Sequence, residues 1–143
     1  MWRKTIGLAG ALVSVALAGS VALAPSASAA DYGGDGNPAT DCPNAYTVAS
    51  APITNGSGAT IGLVELRWSY ACSGNWSRTT SYIGTQFLNP GVYVPDGGAW
   101  ASSTDVATQD FTRYLRVSPT QEVCASGVIE TGTGWWGNTV CSH

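Results

Sequence analysis

The strongest constraint on the fold is a series of short segments in which apolar and polar residues alternate. In residues 59–70, ATIGLVELRWSY, one face would carry Glu65, Arg67 and Ser69. The opposite, core-facing side would carry Val64, Leu66, Trp68 and Tyr70. Such alternation predicts a half-buried strand. Further strands are predicted at 45–53, 76–83, 110–118, 122–130 and 134–141. No helical period of useful length follows residue 30. The pattern therefore predicts an all-β fold, a small antiparallel β-sandwich or barrel.

Turn-forming sequences separate these segments, as in TNGSG (54–58), PDGG (95–98) and TGTG (131–134). Pro90 and Gly91 fit the central pair of a type II turn. Residues 84–100, GTQFLNPGVYVPDGGAW, have two interpretations. They form either a long functional loop or a short edge strand at 92–94 between two turns.

The first thirty residues have the features of a secretory signal peptide. Arg3 and Lys4 precede a long apolar run, and Pro25 and a series of small residues follow it. Cleavage fits after Ala29 or Ala30. A membrane anchor is the alternative, but no basic stop-transfer cluster follows the run. We therefore expect a signal peptide at 1–30, a flexible lead-in at 31–41 and a single β domain at 42–143. The product would be secreted, either free or associated with the cell wall.

Removal of residues 1–30 leaves four arginines, no lysine and nine carboxylates, a net charge of −5. This balance lacks the basic surface that nucleic acids or anionic membranes require, so neither is an expected partner. The Gly-x-Gly-x-x-Gly pattern at 132–137 is not expected to bind a dinucleotide, because it contains two tryptophans, a cysteine follows it and the chain is expected to be exported. No cofactor and no metal site is predicted.

The four cysteines are Cys42, Cys72, Cys124 and Cys141. In an exported chain they predict two disulfides, for which three pairings exist. Zinc binding is disfavoured because no two cysteines lie two to four residues apart. The pairing Cys42–Cys72 with Cys124–Cys141 is favoured because it closes two moderate loops. Each bridge would stabilise the fold by roughly 3–4 kcal/mol.

Residues 64–78, VELRWSYACSGNWSR, concentrate charged and aromatic side chains. A three-residue loop at 73–75 would place Cys72 opposite Trp76, Tyr70 opposite Arg78 and Trp68 opposite Thr80. Arg78 would then stack on Tyr70. The favoured interpretation is a core hairpin whose conspicuous side chains are mainly structural. In the alternative, Arg67 lines a groove with Trp68 or Trp76. The motif residues are Glu65, Arg67, Trp68, Trp76 and Arg78.

A family resemblance covers residues 35–78, through DGNPATDC (35–42), AYTVASAPI (45–53) and GLVELRWSYACSGNWSR (62–78). These segments resemble the domain-of-unknown-function 2690 family of small secreted actinobacterial proteins. The matching positions are Asp35, Gly36, Asn37, Pro38, Cys42, Ala45, Thr47, Val48, Val64, Glu65, Leu66, Arg67, Trp68, Ser69, Cys72, Asn75, Trp76, Ser77 and Arg78. Trp68 stands where the family has Tyr, Ser77 where it has Ala, and an upstream cysteine pair is missing. The resemblance implies export and a Cys42–Cys72 bridge, and it implies no activity.

Aromatic residues are the candidate contacts with a partner, namely Tyr93, Trp100, Trp135 and Trp136. Because adjacent strand residues face opposite ways, one of Trp135 and Trp136 should be buried and the other exposed. An exposed Trp between glycines could stack on a sugar or on a partner's side chain. The leading hypothesis is an extracellular or cell-wall-associated binding module, with a wall polymer or a secreted protein as its partner.

Two alternatives remain open at this point. One is a secreted protease inhibitor that presents the loop at 84–100. The other is a small glycan hydrolase with a carboxylate pair drawn from Glu65, Glu122, Glu130, Asp105 and Asp110. Nucleophilic hydrolase chemistry is disfavoured because the single histidine is the last residue, His143, and the cysteines are expected to be oxidised. No catalytic residue is assigned.

Overall fold

The computed structural model describes residues 36–143, so the predicted signal peptide and residues 31–35 of the lead-in lie outside the described residues. A short helix, α1 (Pro38–Asp41), precedes ten strands. The strands are β1 (Tyr46–Thr54), β2 (Thr60–Ser69), β3 (Gly74–Ser81), β4 (Gln86–Tyr93), β5 (Trp100–Ser102), β6 (Asp105–Ala107), β7 (Gln109–Phe111), β8 (Leu115–Arg116), β9 (Cys124–Thr131) and β10 (Gly134–Cys141). Within this part of the chain, no helix has the length and apolar content to cross a membrane.

Two five-stranded antiparallel sheets confirm the predicted all-β class. The first sheet has the order β1-β2-β3, with β7 and β8 both paired to β3. The second has the order β10-β9-β4, with β5 and β6 paired to successive parts of β4. The predicted strand at 110–118 is thus divided into β7 and β8. The inner faces of the two sheets pack against each other and form a β-sandwich.

The core lies between the sheets and takes alternate residues from each strand. Val64 and Leu66 on β2 are fully buried against Leu88 of β4 and Ile129 of β9. Trp68 joins the same cluster, as the alternation predicted. Tyr70 was also predicted on this face, but it lies in the turn after β2 and is exposed. Burial of an aliphatic side chain such as Leu66 or Ile129 stabilises the fold by about 1.5–3 kcal/mol.

Two glycines allow the sheets to approach closely. A Cβ atom on Gly62 of β2 would collide with the Ile129 side chain, and one on Gly127 of β9 would collide with Val64. Ser77 of β3 also donates a hydrogen bond across the core to the carbonyl of Ser126, at 2.9 Å. The sheets are therefore held at a spacing that side chains at these two positions would prevent.

The predicted register of the β2–β3 hairpin is wrong. Ser69 pairs with Gly74, so residues 70–73 form a four-residue loop in which Ser73 has a positive φ of 47°. The pairing shifts accordingly, and Arg78 lies opposite Glu65 rather than opposite Tyr70. The predicted pairs Cys72–Trp76 and Trp68–Thr80 do not form either. Because the shift is an odd number of residues, it also changes which side chains share a face.

Residues 84–100 are not a long loop, and their strand is not a short edge strand at 92–94. Residues 86–93 form β4, which pairs with β9 on one side and with β5 and β6 on the other. Pro90 and Gly91 lie inside this strand instead of in a turn. The carbonyl of Pro90 accepts a hydrogen bond from the Ser103 N–H at 3.1 Å, in the gap between β5 and β6. The nitrogen of Pro90 faces the same gap, so the missing N–H breaks no ladder hydrogen bond.

Both favoured disulfides are confirmed, Cys42–Cys72 and Cys124–Cys141, and no cysteine is free. They indicate an oxidising compartment. Cys42 directly follows α1 and forms a small second core with Trp76 and Tyr114 on the outer face of the first sheet. Residues 36–41, assigned to the lead-in, thus contain a helical turn whose Pro38 is buried. The second bridge joins directly opposed residues of β9 and β10.

The two disulfides are expected to stabilise different parts of the fold, since the first joins α1 to the first sheet and the second joins β9 to β10. Replacing Cys42 and Cys72 together by Ala should lower the free energy of unfolding by about 3–4 kcal/mol. It should also release α1 from Trp76, because the bridge ties this short helix to the sheet. Replacing Cys124 and Cys141 should cost a similar amount but leave the Trp76 environment unchanged. Urea unfolding together with tryptophan fluorescence measures both effects, and equal fluorescence changes in the two variants would contradict this division.

Candidate functional site

The outer face of the second sheet gathers exposed aromatic side chains, and we call it the aromatic face. Its register places Phe87 of β4 opposite Glu130 of β9, which lies opposite Trp135 of β10. On the other side of Phe87 lies Val106 of β6, which is exposed. Since directly paired residues point to the same side of a sheet, these four side chains form one row across its whole width.

Phe87 and Trp135 contact each other within this row. Their ring centroids are 5.7 Å apart and their planes meet at 67°, an edge-to-face arrangement. Such a contact contributes about 0.5–1.5 kcal/mol beyond the area it buries. It also holds the Trp135 ring in place although 59% of this residue is exposed. The first end of the aromatic face is thus an oriented indole supported by a phenyl ring.

The second end of the aromatic face is built by Tyr93 and Trp100. Tyr93 of β4 lies opposite Trp100 of β5, and Trp100 is 70% exposed, the highest value among the large hydrophobic residues described. Tyr93 is six residues after Phe87, so the two ends are roughly 20 Å apart along β4. A ligand that contacts both ends must therefore be extended.

Small, uncharged residues form the floor between the two ends. Asn89 and Gly91 of β4 pair with Val128 and Ser126 of β9, and Gly137 of β10 continues the row. A side chain at Gly91 would collide with the Ser126 hydroxyl, which lies 2.6 Å from where its Cβ would be. The floor therefore stays low, and the aromatic rings stand at its margins.

Three of the four predicted contact residues share this face, namely Tyr93, Trp100 and Trp135. Trp136 does not, because it points inward and packs against the core. Its indole N–H donates to the Thr131 hydroxyl at 3.2 Å. The adjacent tryptophans thus face opposite ways, as the strand pattern predicted. Phe87 was not predicted as a site residue, although alternation along residues 86–93 places it on the same face as Tyr93.

The predicted motif residues lie on the other sheet. Glu65 of β2 is 7% exposed and accepts two hydrogen bonds from Arg78, from Nε at 2.8 Å and from Nη2 at 3.0 Å. Thr47 donates to Glu65 at 2.7 Å and accepts from Arg67 Nη1 at 2.6 Å. Trp76 lies on this outer face under α1, whereas Trp68 is in the core. These contacts are those of a packed hairpin, although the predicted register was wrong, and Arg67 and Trp76 also line one cleft, as the alternative interpretation predicted.

The surroundings of Glu65 act on its pKa in opposite directions. Burial raises the pKa, but hydrogen bonds from Arg78 and Thr47 and the charges of Arg78 and Arg67 lower it, and together they bring it below its ordinary value. The carboxylate is thus ionised at neutral pH and engaged by its partners. It is not available as a general acid.

The pKa of Asp110 is shifted in the opposite direction, above its ordinary value. Asp110 lies opposite Thr79 on the inner side of β7, and its Oδ2 is buried without a hydrogen-bond partner. Burial raises its pKa, although hydrogen bonds from the Ser103 hydroxyl and the Phe111 N–H oppose the shift.

No aspartate or glutamate lines any of three surface clefts formed by residues 36–143. Glu122 lies close to Cys124 and Cys141, but these sulfurs are bonded to each other and offer no metal ligand.

Comparisons with protein-family models, with curated proteins and with solved structures found no match to this chain. The resemblance of residues 35–78 to the domain-of-unknown-function 2690 family therefore stays a prediction.

The two adjacent tryptophans should respond differently to replacement. Trp136→Ala should lower the free energy of unfolding by about 3 kcal/mol or more, because it leaves a cavity beside the core and removes the hydrogen bond to Thr131. Trp135→Ala should cost about 1 kcal/mol or less, since it removes mainly the contact with Phe87. Urea unfolding of the two variants measures the difference. Equal losses would show that Trp135 is a structural residue rather than a surface contact.

Glu65 should make stability dependent on pH in the acid range. A lowered pKa stabilises the fold above the ordinary value of about 4.5, and this contribution is lost as pH falls through the lower folded value. Glu65→Gln should therefore lower the free energy of unfolding by about 2–3 kcal/mol at pH 7, because it leaves Arg78 without its partner. The deficit relative to the unmodified chain should shrink as the pH falls below about 4.5.

Glu122→Gln is the matched control for this experiment. It makes the same change in charge outside the ion pair, and it should alter the free energy of unfolding by less than about 0.5 kcal/mol at any pH. Urea unfolding at several pH values measures both variants. A deficit of Glu65→Gln that stays constant from neutral to acid pH would contradict the assignment.

Proposed function

We propose that this protein is an extracellular binding module that holds a neutral polysaccharide chain on its aromatic face. The single observation that carries the proposal is the exposure of Trp100 and Trp135 at opposite ends of one sheet face. Leaving two such rings in water forgoes the stabilisation that their burial would give. Exposed aromatic residues gathered on one face are typical of an interaction surface.

The chemistry of the face suits a sugar chain. A pyranose ring has apolar C–H faces and a polar rim of hydroxyl groups. An indole can cover the apolar face, because its own face is large, flat and apolar. Between the rings, Asn89 offers an amide, and Ser102 and Thr139 offer hydroxyls that can exchange hydrogen bonds with the sugar rim. Separate aromatic ends joined by a low polar floor favour an extended polymer over a compact ligand.

Charge favours a neutral polymer over an anionic one. Glu130 is the only charged residue in the paired rows described for the aromatic face, and the chain as a whole has a net charge of −3. An anionic polymer would be repelled by both. A cationic surface that could attract it is absent from this face in the described part of the chain.

Two features support an extracellular place of action. The two disulfides indicate an oxidising compartment. The predicted signal peptide at 1–30 supplies a route out of the cell. Association with a cell-wall polymer would combine this location with the chemistry of the aromatic face.

The two alternative hypotheses gain no specific support. The inhibitor hypothesis required a loop at 84–100, but residues 86–93 in the middle of that segment form the paired strand β4. The hydrolase hypothesis required two facing carboxylates in a cleft. Glu65 is instead held by Arg78, and Asp110 points toward the interior.

Binding to insoluble cell-wall polysaccharide tests the proposal. In a sedimentation assay, Trp100→Ala and Trp135→Ala should each weaken binding by about tenfold or more, which corresponds to about 1.4 kcal/mol. Both substitutions remove a ring that would stack on the sugar while leaving the core intact. The affinity is obtained from the bound fraction at increasing polymer concentration.

Tyr82→Ala is the matched control, because Tyr82 is also an exposed aromatic residue, at 57%, but lies just after β3 on the first sheet. Its removal should leave binding unchanged. Retention of full binding by both tryptophan variants, or equal loss in the Tyr82 variant, would exclude the aromatic face as the binding surface.

A further inference from the structure

An open cleft of about 270 Å³ lies on the opposite side of the molecule, between α1 and the outer face of the first sheet. One part of its lining is apolar and consists of Pro38, Trp76 and Phe111. The other part is polar and consists of Arg67, Arg78 and Gln109. The Cys42–Cys72 bridge holds α1 over the sheet, so the cleft belongs to the covalently fixed part of the fold.

The positive charge in this cleft exceeds the negative charge that its own network supplies. Both oxygens of Glu65 are engaged by Arg78. Arg67 donates instead to uncharged acceptors, the Thr47 hydroxyl at 2.6 Å and the Ala45 carbonyl at 3.1 Å. Its nearest approach to Glu65 is 3.8 Å, beyond hydrogen-bond distance. Two guanidinium groups therefore share one carboxylate, in a chain whose overall charge is negative.

The excess positive charge acts on Arg67, whose charged form is destabilised by its surroundings. Its Nε is buried without a hydrogen-bond partner among residues 36–143. Burial and the charge of Arg78 lower the pKa of Arg67, and the opposing effect of Glu65 does not compensate. An arginine stays charged in a protein, so the cost appears as an unfavourable positive potential. A bound anion would relieve it.

We propose that this cleft binds a small monocarboxylate with a compact apolar body, whose charge is met by Arg67 and Arg78. One negative charge balances the one excess positive charge. A carboxylate also matches the planar fork of a guanidinium. The bonds to Glu65 use Nε and Nη2 of Arg78, so its Nη1 is left to donate. The apolar body would lie against Trp76 and Phe111.

Benzoate is the probe for this site, with benzamide as its neutral counterpart and inorganic phosphate as an anion without an apolar body. In an NMR titration of the full chain with both disulfides intact, benzoate should bind saturably and shift the Trp76 indole N–H signal. Benzamide and phosphate should bind at least about tenfold more weakly. The Trp135 indole signal on the opposite face should not move.

Arg67→Gln should weaken benzoate binding by roughly ten- to a hundredfold, since it removes the excess charge but keeps the Glu65–Arg78 ion pair that supports the fold. Arg116→Gln makes the same change in net charge on β8, outside the cleft lining, and should leave the affinity unchanged. The titration of the unmodified chain tests the site even if the Arg67 variant does not fold.

Several results would overturn the proposal. Equal binding of benzoate and benzamide would show an apolar site that does not depend on charge. Stronger binding of phosphate would show a different class of ligand. Equal losses in the Arg67 and Arg116 variants would show a general effect of charge. The absence of saturation up to about 10 mM, ten times a fragment-like dissociation constant of about 1 mM, would show that the cleft binds no carboxylate.

Discussion

Burial of the two inner sheet faces in one shared core is the constraint on which the rest of the structure depends. Val64 and Leu66 on one sheet and Leu88 and Ile129 on the other are fully buried only because the sheets pack against each other. Gly127 lets them approach closely. Because side chains alternate along a strand, every inward residue fixes the outward direction of its two neighbours. The pattern of buried residues therefore determines which side chains lie on the two outer faces.

The alternation of β2 and β10 could be predicted from the sequence, and so could the disulfide pairing. The face of each residue along a strand depends only on period two, which is visible in a single segment. Register is different, because it depends on the conformation of the connecting loop. The turn signal at Ser73-Gly74-Asn75 predicts a loop at 73–75, but Gly74 already pairs with Ser69, so the loop is 70–73 with Ser73 at a positive φ. This is why Arg78 was placed beside Tyr70 instead of Glu65.

The error at residues 86–93 has a different physical origin. Pro90 followed by Gly91 is a strong local turn signal. Whether the pair forms a turn depends on the strands that lie beside it, and Pro90 faces the break between β5 and β6 at Ser103. There the absent N–H of proline has no partner to lose. The same error explains why the sequence did not predict Phe87 as part of the aromatic face. Tyr93 and Trp100 are candidates from their residue type alone, whereas Phe87 shares their face only because β4 is one continuous strand.

The sandwich places the two proposed binding surfaces on different sheets, and their chemistry would interfere on one surface. Arginine side chains beside the exposed indoles would compete for stacking on their faces. The arginines of the hairpin instead lie on the other sheet, where the Glu65 carboxylate orients Arg78, and the Thr47 hydroxyl and Ala45 carbonyl orient Arg67. The rings at Trp100 and Trp135 project from paired strands rather than from long loops. A ligand that binds to rigid strands pays little entropy to order them, so a few exposed rings on a stiff sheet can provide useful affinity over a shallow surface.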